Sequence, residues 1–298
     1  MDNAVRSDSG GSWPWRIVRF PLTRIIIALA MVAAGTIVRD VVVKLCSPLF
    51  ALTGEIEKSL FSTLLTVPFV YFSYALYVRY IEKRRAIELA GPEALKELGG
   101  GALLGTGLFV ATIGCIWSLG YYKVTGFNEW TVMIPAFSAA AVAGFMEEIL
   151  VRGIVFRIME EGLGTWLSLG ISASLFGFLH LKNPNATIVS GVAIALTAGI
   201  LLASAYILTR RLWLAIGLHA AWNFTQGGIF GVAVSGTPSK GLLDAQLTGP
   251  DLLSGGPFGA EDSIFVVIFA LFLSAYLLRL GYRRNHILRP VWRASRYV

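Results

Sequence analysis

Charge is what this chain has least of. Asp, Glu, Lys and Arg make up 14% of its 298 residues, against about 25% in an ordinary soluble domain. That deficit excludes a solvated globular protein. Cysteine is nearly absent: Cys46 and Cys115 sit in or beside apolar runs, which excludes a disulfide framework and a cysteine metal site. There are three histidines. No internal repeat is visible, which argues against a transporter built from inverted halves. What is abundant is apolar: 55% of residues are hydrophobic and the mean hydropathy is +0.68. Long apolar runs recur along the whole length, the pattern of an all-α, polytopic bundle of membrane helices. The net charge of +7 does not point to nucleic acid, because the bases flank the apolar runs, where they set orientation in the bilayer.

About eight transmembrane helices are expected, near 22–43, 59–80, 100–119, 130–156, 165–181, 186–208, 212–230 and 263–280. They form one membrane domain over 22–280, between an N-terminal tail (1–21) and a basic tail (281–298). Residues 1–11 are short and polar and read as disordered, with Trp13 and Trp15 at the interface. Arg16, Arg19 and Arg24 ahead of the first run loosely resemble a signal peptide. With no cleavage signature and further spans behind it, the run reads as a retained helix. Residues 81–99 are charged and amphipathic and read as a surface helix or solvated connector broken at Gly91-Pro92. Residues 231–262 are rich in Gly, Pro and Ser and read as a long exposed loop, a candidate lid. Arg39 and Asp40 are expected to pair. With both termini inside, 19 of the 25 Lys and Arg fall on the cytoplasmic side. The expected setting is the inner membrane of a bacterium.

Polar residues inside apolar helices require a reason. Glu147 and Glu148 are adjacent. Glu148 and Arg152 are four apart and pair on one helical face, which leaves Glu147 uncommitted. The plain alternative is a structural ion pair with Glu147 reaching to water. His180 and His219 lie in two further spans; His219 shares a face with Asn223, and His180 with Phe176, while His286 belongs to the basic tail. Ala139, Ala140, Ala141, Ala143 and Gly144 are small enough for neighbouring helices to approach closely. A carboxylate, two imidazoles and an amide around one water suit amide hydrolysis. Glu147 would take the proton from water with His180 holding it, while His219 and Asn223 would steady the oxyanion. Counting about 1.5 Å per residue, His219 lies about 10 Å inside the inner edge and His180 about 22 Å from Thr165. The two depths disagree unless Glu160–Gly164 starts well below the surface or that span is tilted; the nearness of His219 to Arg210-Arg211 favours a site opening on the inner side.

In order, Glu147-Glu148-x-x-x-Arg152, Phe176-x-x-x-His180 and His219-x-x-x-Asn223 resemble the CPBP family, which includes the type II CAAX prenyl endopeptidases and the bacterial Abi proteins. The motif core covers about 132–224. The resemblance implies an intramembrane endopeptidase, with Glu147 and His180 activating water and His219 and Asn223 at the oxyanion. Its substrate would be a membrane-tethered or hydrophobic peptide or a lipidated protein, cut near the C-terminus. No cofactor is favoured. The metal alternative is zinc on Glu147, His180 and His219 with an open position for water, against which stand the missing His-Glu-x-x-His helix and the amide of Asn223. Two other readings stay open: a non-catalytic scaffold using the same cavity, and a carrier in which Glu147, His180 and His219 relay protons.

Overall fold

The computed structural model describes residues 17–50, 52 and 54–294. The expected polar N-terminus, with Trp13 and Trp15, lies outside the described residues. The chain is an integral, multi-pass bundle. Among the described residues, six helices are long and apolar enough to cross a membrane: Pro21–Leu49 (α1), Glu55–Tyr80 (α2), Ala94–Ser118 (α3), Trp130–His180, Ile188–Thr209 (α6) and Ile264–Arg283 (α8). The 51-residue fourth helix holds the expected spans 4 and 5. Its first part is Met133–Glu148 (α4), continued by a wide π-helical turn, Ile149–Phe156. Its second is Arg157–His180 (α5), broken at Gly164 by a backbone at φ 74° and ψ 169°. The expected seventh span is an 11-residue helix, Trp213–Asn223 (α7), with a 6-residue π-helical extension, Phe224–Ile229.

Glycine positions α7. A Cβ on Gly101 would stand 2.2 Å from the Leu214 carbonyl, and one on Gly105 2.3 Å from the Leu218 carbonyl. These two glycines, four apart on α3, let the backbones of α3 and α7 touch. Gly144 of α4 faces Ala220 of α7 in the same way, at 2.9 Å from its amide nitrogen. α7, which carries His219 and Asn223, is therefore held between α3 and α4.

The two ends of the bundle differ. At one end, residues 81–93 depart from the expected surface helix. They form an irregular strap with a short 3₁₀ turn, Ile87–Leu89, because Gly91-Pro92 stops helix propagation and the acids turn inward. Glu88 is buried against Arg84, at 2.7 Å, and Tyr74. Glu82 meets Arg157 at 2.7 Å, Arg84 at 2.7 Å and Arg24. Burial opposes its charge, yet those guanidiniums hold the Glu82 carboxyl down at about 2. The strap also supports the start of α7: the amide of Leu212 donates to the Glu88 carbonyl and the indole of Trp213 to the Ala90 carbonyl. The tail covers the break in α5, where Thr165 N–H donates to the Leu288 carbonyl and Gly164 packs on Pro290. Both α5 and α7 thus begin beneath covering segments. Arg39 does pair with Asp40, and also reaches Ser62 and Thr66.

At the other end, the expected exposed loop is structured. Leu243–Leu247 (β2) pairs antiparallel with Tyr122–Phe127 (β1), Tyr122 opposite Leu247 and Phe127 opposite Leu243, with a bulge between Val124 and Gly126. Phe258 and Ala260 are buried. Gly236, at φ 80°, fits against the Pro184 carbonyl where a Cβ would have no room. Composition alone hid these anchors, since a few buried residues suffice to seat a Gly-rich segment.

Gly105→Val is expected to destabilise the protein by about 1–3 kcal/mol through overpacking. Gly107→Val, on the same helix with nothing within 4 Å of an added Cβ, should cost much less. Thermal unfolding in detergent compares them; equal losses would refute the close-approach assignment.

Candidate active site

The site forms where α4, α5 and α7 converge. Glu148 and Arg152 are fully buried, and Arg152 Nη1 lies 2.7 Å from Glu148 Oε1. The same oxygen accepts from His219 Nδ1 at 3.1 Å. A buried guanidinium needs further acceptors, and the π-helical turn Ala195–Gly199 in α6 supplies them: Arg152 Nη2 donates to the carbonyls of Ala198 and Gly199, each at 3.0 Å. A π-helical turn leaves carbonyls outside the ordinary ladder, and such turns collect at functional sites. Below the guanidinium lies the ring of Phe176, its centroid 4.6 Å away. That ring also packs on His180, at 4.6 Å between centroids, and edge-on to His219, at 6.2 Å. Phe176 is thus the platform shared by the cation and both imidazoles.

Hydrogen bonding fixes how the histidines face the site. A carbonyl only accepts, so His180 donates from Nδ1 to the Phe176 carbonyl, at 2.8 Å. A carboxylate paired with arginine likewise accepts, so His219 donates from Nδ1 to Glu148. In each neutral ring Nε2 is then the free atom. His219 Nε2 stands 3.9 Å from Glu147 Oε2, too far for a hydrogen bond. Glu147 is 30% exposed, yet its Oε2 is a buried oxygen without a partner. The cavity beside it, about 310 Å³, is lined by Glu147, His180, His219 and Asn223, with Ala136, Ala139, Ala140 and Ala143 forming its smooth wall on α4. All six residues singled out by sequence lie in or directly behind this cavity. Among the described residues, no group of three or more His, Cys, Asp and Glu side chains comes together in a way that would hold a metal ion.

Sequence reasoning missed three contributors. Asn183 lines the cavity and donates to the Ser235 carbonyl at 3.0 Å. Ser235 lines it from the 231–262 segment, and its amide donates to the buried carboxyl of Glu261. Glu261 and Ser235 also border a small void of about 10 Å³ behind His180, His219 and Asn223. Adjacent acids ahead of an apolar run, Glu261-Asp262, are the same kind of signal as Glu147-Glu148 and were available. The opening also differs from expectation. The cavity runs from His219 through Asn223 and Gly227 to Val234–Ser239, so its mouth lies at the β1–β2 end, away from Arg210 and Arg211.

Residues 128–225 match the family model described as type II CAAX prenyl endopeptidase Rce1-like. That stretch of the chain is similar to an Rce1-like domain. No curated protein and no solved structure matched the chain. The matched stretch contains α4, α5, α6 and α7, and with them every member of the convergent cluster. The Rce1-like match supports an intramembrane endopeptidase of the general CAAX type.

Burial pushes the Glu261 carboxyl up to about 8, with Asp262 and Glu147 adding negative charge nearby, against hydrogen bonds from Ser235 that lower it. Burial also raises Asp262, to about 6. The other polar groups facing Glu261 are His180, His219 and Asn223. A carboxyl raised in the folded state favours folding while protonated. Its contribution is full below its ordinary 4.5 and is lost as pH rises through about 8. Seating of the 231–262 segment should therefore loosen across that window. Hydrogen exchange, corrected for intrinsic rates, should show this in the wild type and a flatter profile in Glu261→Gln. Equal profiles would rule out Glu261 as the titrating group.

Proposed function

We propose that the protein is an intramembrane endopeptidase that hydrolyses a peptide bond with water activated by Glu147. The observation that carries this is the unpartnered, buried Glu147 Oε2 on the wall of a cavity that also holds Asn223 and the two histidines. A water placed there has the polar partners it needs. Glu147 takes its proton while His180 Nε2 orients it, and the oxygen attacks the carbonyl carbon. The oxyanion that forms accepts from the Asn223 amide, and from His219 when Nε2 carries a proton. Collapse breaks the C–N bond, and Glu147 returns the proton to the departing amine. Arg152 and Glu148 are positioning residues: they keep the His219 ring turned so that Nε2 faces the cavity.

The alanine wall supports an extended, unbranched stretch of substrate backbone rather than a bulky fold. The substrate is a hydrophobic or membrane-tethered peptide. The reading needs no metal, because Glu147 supplies the base and the Asn223 amide a donor to the oxyanion.

Glu147→Gln is nearly isosteric and removes the base. It should lower cleavage about 10²–10⁴-fold, the usual worth of general base catalysis, with the folded protein retained. Cleavage of a quenched hydrophobic peptide library by purified protein reads this, and an undiminished rate in the variant would refute the proposal. A strong chelator should leave the rate unchanged; loss restored by zinc would move the reaction to a metal mechanism.

A further inference from the structure

The placement of the cavity mouth and the placement of the basic residues are independent observations, and they point in opposite directions along the bundle. The mouth is framed by Asn183, Thr237, Pro238 and Ser239, at the end that carries the β1–β2 pair. A second cavity of about 390 Å³ continues from it past Pro238 and Ser239 to Thr131, Pro135 and Glu55. Among the described residues, the bases in and beside the turns at this end are Lys44, Lys58, Lys123, Lys182 and Lys240. Arg39 is folded onto Asp40, Ser62 and Thr66. Acids at this end include Glu55, Glu57, Glu129, Asp244 and Asp251. The opposite end collects Arg24, Arg84, Arg157, Arg210 and Arg211, all within ion-pair reach of the strap, the α5 turn or α3, and then Arg279, Arg283, Arg284, Arg289 and Arg293.

Orientation is set by Lys and Arg in short turns, with little weight on Asp and Glu. Every turn at both ends is short on that scale, the 231–262 segment included. The crowded basic end is therefore the cytoplasmic one. We infer that the catalytic cavity opens on the non-cytoplasmic face of the membrane, and that its substrate is a hydrophobic polypeptide segment presented from that face. This inference rests on the hydrolase reading above and narrows it. A lipidated C-terminus displayed on the cytoplasmic leaflet meets the closed, ion-paired end of the bundle. A segment leaving the outer leaflet meets the groove along α4 and the 231–262 segment.

The test is side-specific. In a Cys46→Ser, Cys115→Ser background, single cysteines are placed by Thr237→Cys at the mouth, Lys123→Cys on β1 and Arg85→Cys on the strap. A membrane-impermeant maleimide should label the first two in right-side-out vesicles and the third only in inverted ones. Lys123→Cys reports the side even where the mouth is shielded. The reverse pattern overturns the inference and leaves the hydrolase reading untouched. A second arm applies a quenched peptide library bearing a sulfonated dye, which does not cross the bilayer, to one face at a time. Glu147-dependent cleavage is expected at least tenfold faster in right-side-out vesicles. Faster cleavage in inverted vesicles also overturns the inference. Cleavage on neither face, with labelling as expected, counts against the hydrolase reading instead.

Discussion

Burying Arg152 imposes most of the order seen around the site. An arginine with no exposure inside a membrane bundle is tolerable only when its charge is matched and most of its donors are used; here both Nη atoms are bonded and Nε alone is left without a partner. One carboxylate, Glu148, matches the charge. Two carbonyls of a widened turn in a different helix take a second set of donors. An aromatic face, Phe176, covers the cation. Each of these partners comes from a separate element, so satisfying one side chain fixes α4, α5 and α6 relative to one another. Glu148 then extends the constraint to α7 through His219. Removing one member of such a buried pair typically costs about 3–5 kcal/mol, because the other is left charged in a dry place. Glu147, one residue earlier, turns toward the cavity with one oxygen unspent.

Close packing complements this network. α7 is short and would be poorly held by apolar contact alone, since lipid is as apolar as any leucine. Glycines on α3 and α4 bring its backbone into direct contact with its neighbours, which is how His219 and Asn223 reach residues on α4 and α5. The two ends of the bundle then take different tasks. The basic end is closed by the 81–93 strap and the tail, with acids turned inward onto arginines. The other end is covered by the 231–262 segment, seated by its pairing with β1, by Phe258 and Ala260, and by Glu261.

The sequence by itself determined the all-helical membrane character, because charge is too sparse and apolar runs too long for anything else. It also exposed Glu147, Glu148, Arg152, His180, His219 and Asn223, because a polar side chain within a hydrophobic helix is conspicuous wherever it falls. The Glu148–Arg152 pair was legible because four residues along a helix is a local distance.

Only the tertiary structure decided the contacts that join distant stretches. The sharing of one Glu148 oxygen by Arg152 and His219, the carbonyls of Ala198 and Gly199, and the insertion of Ser235 and Glu261 behind the histidines connect positions far apart in the chain, and no periodicity encodes them. The same holds for the segments that cover the starts of α5 and α7, and for the end at which the cavity opens. Spacing along a helix fixes which face a side chain takes; which neighbours meet that face depends on how the helices pack, and that is a property of the whole bundle.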